Sequence, residues 1–110
     1  MPPNHESPEL ARAVSEIQHL TTEITAAETQ LAGCIKSLAS EEGMLASILA
    51  TPETLKNKEY LNAAKIACTA GMKAWSTSIA AYQNDIDSYK SGINAIFERI
   101  PEARLDNVGE

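Results

Sequence analysis

Leu10, Ile17, Ile24, Leu31, Leu38 and Leu45 follow one another at intervals of seven, and Ala13, Leu20, Ala27, Cys34, Glu41 and Ile48 repeat the interval three positions on. Two rows offset in this way form a narrow stripe down one side of an α-helix, the a and d positions of a heptad. Such a stripe is stable in water only against a matching one. Residues 7–50 are therefore expected to form a single helix that needs a partner helix.

The partner lies further along the same chain. Leu61, Cys68, Trp75, Tyr82, Tyr89 and Ile96 keep the seven-residue interval, with Lys65, Met72, Ile79, Ile86, Ile93 and Ile100 as the companion row. An antiparallel hairpin buries both stripes with the shortest connection. The expected fold class is all-α: a long, coiled-coil-like, two-helix hairpin that packs with other copies into a helical bundle or filament. At heptad spacing Trp75, Tyr82 and Tyr89 read as core layers rather than a stacking platform, with the tyrosine hydroxyls reaching water at the seam edge.

Local chemistry sets the boundaries. Ser7-Pro8-Glu9 is a helix start: a side-chain oxygen for free N–H groups, a proline where its missing donor costs nothing, and an acid at the positive end of the helix dipole. Thr51-Pro52-Glu53 repeats it, and Pro52 forces Thr51 out of helical geometry. Asn57 offers a further cap. The expected organisation is a disordered tail at 1–6, one hairpin domain at 7–100 (helix 8–50, connection 51–57, helix 58–100) and a polar C-terminal tail at 101–110 that adds nothing to the core.

The seam also predicts a register. In an antiparallel pair the numbers of facing residues have a constant sum, and a sum of 106 sets Leu38 against Cys68, Leu31 against Trp75 and Glu41 against Lys65. Shifting by a heptad would bury Glu41 or Lys65 opposite an apolar side chain, at a cost of several kcal/mol. Glu41 and Lys65 are thus expected to form the polar layer that fixes alignment. A catalytic amine is the other reading of a lysine beside a carboxylate, but no third group converges on the pair.

The outward faces are unusually small. Ala63, Ala67, Ala70, Ala74, Thr77 and Ala81 run along the second helix, and Ala32, Ala39, Gly43 and Ala46 along the first. A solvated hairpin would fill such faces with Lys, Glu and Arg. Gly33, Gly43, Gly71 and Gly92 each cost about 1 kcal/mol relative to alanine in a helix interior, which makes sense where another backbone approaches. These ten small residues are the expected assembly face. Val14, Ile35, Met44, Leu49, Ile66 and Phe97 lie outside the two rows and widen the apolar surface beyond what one partner helix covers.

Composition removes several function classes. A net charge of −6 lacks the basic footprint that a nucleic-acid backbone requires. No apolar run approaches the roughly 20 residues that cross a bilayer, so no membrane insertion is expected. Cys34 and Cys68, the two cysteines, stand in the apolar rows and read as buried free thiols rather than a disulfide framework. The N-terminus has no basic region followed by an apolar one, so no signal peptide is expected. The expected location is the cytoplasm, or outside the cell by export without a cleavable signal. Glu16 and His19 match the Glu-x-x-His string of di-iron bundles once, without the second copy such a site needs. No phosphate-binding loop, nucleophile elbow or Cys-x-x-Cys is present. No catalytic residue, metal or cofactor is expected.

What remains is assembly. The leading expectation is a non-enzymatic structural protein whose partner is itself, as a homo-oligomer, filament or coat. The alternative is a small secreted or adaptor hairpin that binds another helical protein. In overall plan, two antiparallel helices without a signal sequence, the chain is similar to the exported hairpins of the WXG100 family, which implies a protein-binding role. The likeness is one of plan: the connection reads Thr51-Pro52-Glu53-Thr54 in place of Trp-x-Gly, and Trp75 stands before Ser76 and Thr77 in mid-helix.

Overall fold

The computed structural model describes residues 7–104. It is a helical hairpin of α1 (Pro8–Ala50) and α2 (Lys58–Arg99), connected by residues 51–57. The expected tail at 1–6 and the last residues of the expected C-terminal tail lie outside the described residues.

Each helix end is made by the residues that punctuate the sequence. The Ser7 hydroxyl accepts the Leu10 N–H at 3.0 Å, and the Ser7 carbonyl accepts the Ala11 N–H at 3.1 Å, which starts α1. At its other end Thr51 replaces the usual glycine cap. Its hydroxyl donates to the Ser47 carbonyl at 2.8 Å and its N–H to the Ile48 carbonyl at 3.1 Å, satisfying two of the last free acceptors.

Asn57 caps α2 differently from the expectation. Its backbone carbonyl accepts the Leu61 N–H at 2.8 Å, while its side chain turns back into the connection. There Oδ1 accepts the Thr54 N–H at 2.7 Å, Nδ2 donates to the Pro52 carbonyl at 3.1 Å, and the Asn57 N–H returns to the Thr54 hydroxyl at 3.2 Å. The reason is competition: Pro52 blocks a helical continuation, so the nearer unsatisfied groups of the turn capture the amide.

The chain packs as two compact units, one taking the described residues 7–28 and 84–104, the other Thr29–Gln83. In the first, Ala13, Ile17, Ile96 and Ala103 form a buried cluster, with Leu10, Val14, Leu20, Ile93, Phe97 and Ile100 packed around it. Burying Ile17 stabilises by about 1.5–3 kcal/mol. Val14 and Phe97, expected on the surface left over for other copies, belong to this core instead. Ala103 overturns the expectation that residues 101–110 add nothing to the core: it is 0 % exposed. Pro101 ends α2, yet its fixed backbone angle starts a new turn, with Ala103 N–H on the Ile100 carbonyl at 3.0 Å and Arg104 N–H on the Pro101 carbonyl at 3.1 Å. The turn returns Ala103 to the cluster and sets the Arg104 guanidinium 4.7 Å from the centre of the Phe97 ring, a cation–π contact.

In the second unit Cys34, Leu61 and Cys68 are buried, and Leu31, Leu38, Leu45, Ile48, Met72, Trp75 and Ile79 are half-buried. The two heptad rows are therefore the buried sides of both helices. The glycines divide. A methyl added at Gly71 would stand 2.9 Å from Oε2 of Glu41, and one at Gly92 would stand 3.3 Å from Cδ1 of Leu20, so these two make room within the chain rather than for another copy. Gly33 and Gly43 have nothing within 4 Å.

Two outcomes test this packing. Gly33→Ala is expected to stabilise by about 0.5–1 kcal/mol through helix propensity alone, whereas Gly71→Ala gains less because Glu41 must move aside; thermal unfolding of both variants reads the difference. Ala103→Asp is expected to lower stability by about 1–3 kcal/mol, the cost of an unpaired polar group in an apolar site, as a shift in the urea midpoint.

Candidate functional site

Glu41 is the one acid in the apolar rows of α1, and the structure places it away from its expected partner. No ion pair joins Glu41 to Lys65 among the described residues. The carboxylate lies against Gly71 and accepts a hydrogen bond from the Cys68 thiol. Pairs taken from each unit by itself show the same correction: Glu41 with Gly71 and Leu20 with Gly92 both sum to 112, and Glu41 with Cys68 to 109, against the expected 106. These contacts lie three to six residues from the alignment that charge pairing predicts, one to two helical turns. The physical reason is space. Gly71 leaves a notch that takes the carboxylate, and Lys65, half-buried, can carry its ammonium to water along an apolar stem.

Around this pair the second unit holds an open groove of about 600 Å³. Glu41, Cys68, Thr51, Asn57, Met44 and Tyr60 line it, and Ser47, Ala64 and Ala67 contribute only short side chains. Burial of Cys68, then the neighbouring Glu41 charge and the hydrogen bond to it, push the thiol pKa up. A thiol so held stays protonated at neutral pH and is a poor nucleophile. The pair therefore lines the groove and offers no reactive group.

The surface beside the groove is apolar. Met44 is 54 % exposed, Leu49 63 %, Tyr60 72 % and Ile66 71 %, and Ile35 and Leu55 also face solvent; every one belongs to Thr29–Gln83. All ten small residues of the expected assembly face, Ala32 to Ala81, are exposed and fall in the same unit. Thr77 adds to their apolar character, because its hydroxyl donates to the Lys73 carbonyl at 2.9 Å and leaves the methyl outward. The register pair was legible only as two polar residues in an apolar row; the groove was not, since its lining comes from residues of both helices and of the connection. A run of short residues at Ser47, Ala64 and Ala67 was its one signal.

Elsewhere the site chemistry is thin. His19 is exposed, and among the described residues no group of three or more His, Cys, Asp or Glu side chains is placed to hold a metal ion. No described helix is long and apolar enough to cross a membrane. Small charged clefts in the first unit are lined by Glu9, Arg12, Glu16 and Arg99. Neither a protein-family model, nor a curated protein, nor a solved structure matches the chain.

The Cys68 shift makes a pH prediction. Its folded-state pKa is raised, so the stability it contributes is complete below the pKa of the unfolded thiol and is lost as pH rises through the raised folded value. Glu41→Gln removes the neighbouring charge and is expected to move thiolate formation at Cys68 to lower pH. Titration of thiolate absorbance in a Cys34→Ser background reads it, and an unchanged or higher transition would show that the carboxylate does not act on the thiol.

Proposed function

We propose that this chain is a non-enzymatic structural protein, a self-assembling helical hairpin that works as a homo-oligomer, either closed or extended into a filament or coat. One observation carries the reading: the large exposed apolar side chains and the small-residue stripe all fall in Thr29–Gln83, while the first unit exposes no large hydrophobic residue among those described. Exposed large apolar side chains gathered in one unit point to contact with another macromolecule, whereas apolar residues scattered singly over a surface need no explanation. A two-helix hairpin also buries a small fraction of its apolar surface by itself, so association adds the stability that a thicker core would supply. The groove supports binding by shape rather than catalysis, because its polar groups are one carboxylate, a protonated thiol, the Ser47 and Tyr60 hydroxyls and the edge of the turn. Self-association is favoured over an unrelated partner by the mixture of protruding and short side chains on one unit, since copies of such a surface can interlock.

Light scattering after size exclusion tests it, with an expected mass at least twice that of the monomer. A folded monomer at every accessible concentration would overturn the reading and direct attention to a heterologous helical partner. Replacing Ala74 and Ala81 by Glu is expected to abolish association with helicity retained, because charge on the stripe cannot be desolvated against a second apolar surface. Unchanged mass in that variant would remove the stripe from the contact.

A further inference from the structure

We infer that the groove within Thr29–Gln83 is a binding site for a small organic cation, an amine on an apolar, aromatic body, which sets its ammonium on Glu41 and its body along Met44, Ile48 and Leu61. The inference stands on the groove alone and does not depend on self-assembly.

The polar groups of the groove are unevenly available. Thr51 and Asn57 line it, but the Thr51 hydroxyl already donates to the Ser47 carbonyl at 2.8 Å. The Asn57 amide is likewise engaged, with Oδ1 accepting the Thr54 N–H and Nδ2 donating to the Pro52 carbonyl. Glu41 is the opposite case. Among the described residues that line the groove it alone carries a formal charge, it is half-buried, and no described cation forms an ion pair with it. A carboxylate has about four lone-pair sites, and the Cys68 thiol takes one of them. The notch at Gly71 sets where the group lies, with Oε2 2.9 Å from the place a methyl there would occupy. An anchored negative charge with acceptor capacity to spare therefore faces an otherwise apolar lining.

Charge complementarity then selects the ligand. An anion is repelled by Glu41, and a neutral polar molecule meets few free partners beyond the Ser47 and Tyr60 hydroxyls. A hard divalent ion takes about six oxygen ligands where the groove presents one carboxylate, and among the described residues no group of three His, Cys, Asp or Glu is placed to hold a metal. An ammonium gives the carboxylate a charge-assisted hydrogen bond, roughly twice as strong as a neutral one, and half-burial weakens the screening that an exposed pair suffers.

The lining sets the rest of the molecule. Glu41 and Ile48 stand seven residues apart on one face of α1, about 10 Å along its axis, so an ammonium on Glu41 carries a short chain and one ring past Met44 to Ile48. From α2, Leu61 supplies buried apolar surface, and Ala64 and Ala67 leave room. The Met44 thioether and the Tyr60 ring both favour an aromatic neighbour. A groove of about 600 Å³ lies in the size range of small-molecule sites.

Titration of the full chain with 4-phenylbutylamine, 4-phenylbutanol and 4-phenylbutyrate, followed by the methyl resonance of Met44, compares three heads on one body. The amine is expected to bind with a dissociation constant below about 1 mM, at least about tenfold tighter than the alcohol, and the carboxylate most weakly. Glu41→Gln is expected to bring amine and alcohol within about threefold of each other while the alcohol binds as before, the sign that the groove is still formed. Glu42→Gln, exposed and outside the lining, is expected to leave the preference for the amine intact, which separates the site from general attraction to a chain of net charge −6. The same titrations on the Ala74→Glu, Ala81→Glu chain guard against a second copy covering the groove. Equal binding of amine and alcohol, a preference that survives Glu41→Gln or disappears with Glu42→Gln, or no shift at Met44 in either chain would overturn the site and leave the self-assembly reading to its own measurement.

Discussion

Burial of one two-row stripe against another is the constraint on which this hairpin depends, because neither helix has a second apolar face wide enough to hold a core. The heptad interval keeps the stripe on one side of each helix, and its side chains are the ones that lose their water: Ile17 and Ile96 in one unit, Cys34, Leu61 and Cys68 in the other. A seam two residues wide also limits what can be hidden. Most side chains off the stripe stay in solvent, Val14 and Phe97 being exceptions that pack on the first unit's cluster, which is why surface chemistry, and not an enclosed pocket, carries the functional reading.

Glu41 shows how the seam tolerates a charge. A buried acid needs a partner that compensates for lost hydration, and the expected partner was Lys65. The structure instead gives it a notch at Gly71, a thiol donor at Cys68 and an open groove beside them. Half-buried at the edge of a groove, the carboxylate keeps access to water, so a lysine opposite is unnecessary.

The two units differ in what they leave exposed. Residues near the chain ends combine a tight cluster, closed by Ala103 and by the Arg104–Phe97 contact, with most of the acids. Thr29–Gln83 combines the groove with the exposed Met44, Leu49, Tyr60 and Ile66 and with the alanine stripe. Acidic surface resists association with like surface, and apolar surface favours it. The proposed assembly rests on this separation: the acidic part of the chain would resist association with its like, and the apolar part would supply the contact.

The helices, their ends and their buried sides were legible in the sequence, because heptad spacing, Ser7-Pro8, Thr51-Pro52 and Pro101 act through neighbours at most a few residues away. The ten small residues of the stripe could likewise be placed on the outward faces from periodicity alone. Alignment between the helices was not legible. It turns on whether Glu41 meets a side chain or the space left by a glycine, and several alignments one turn apart bury equally apolar rows. The roles of Gly71 and Gly92, the return of Ala103 to the core and the groove between Met44 and Tyr60 were decided by tertiary structure for the same reason: each depends on the distance between surfaces far apart in the chain, which no local spacing encodes.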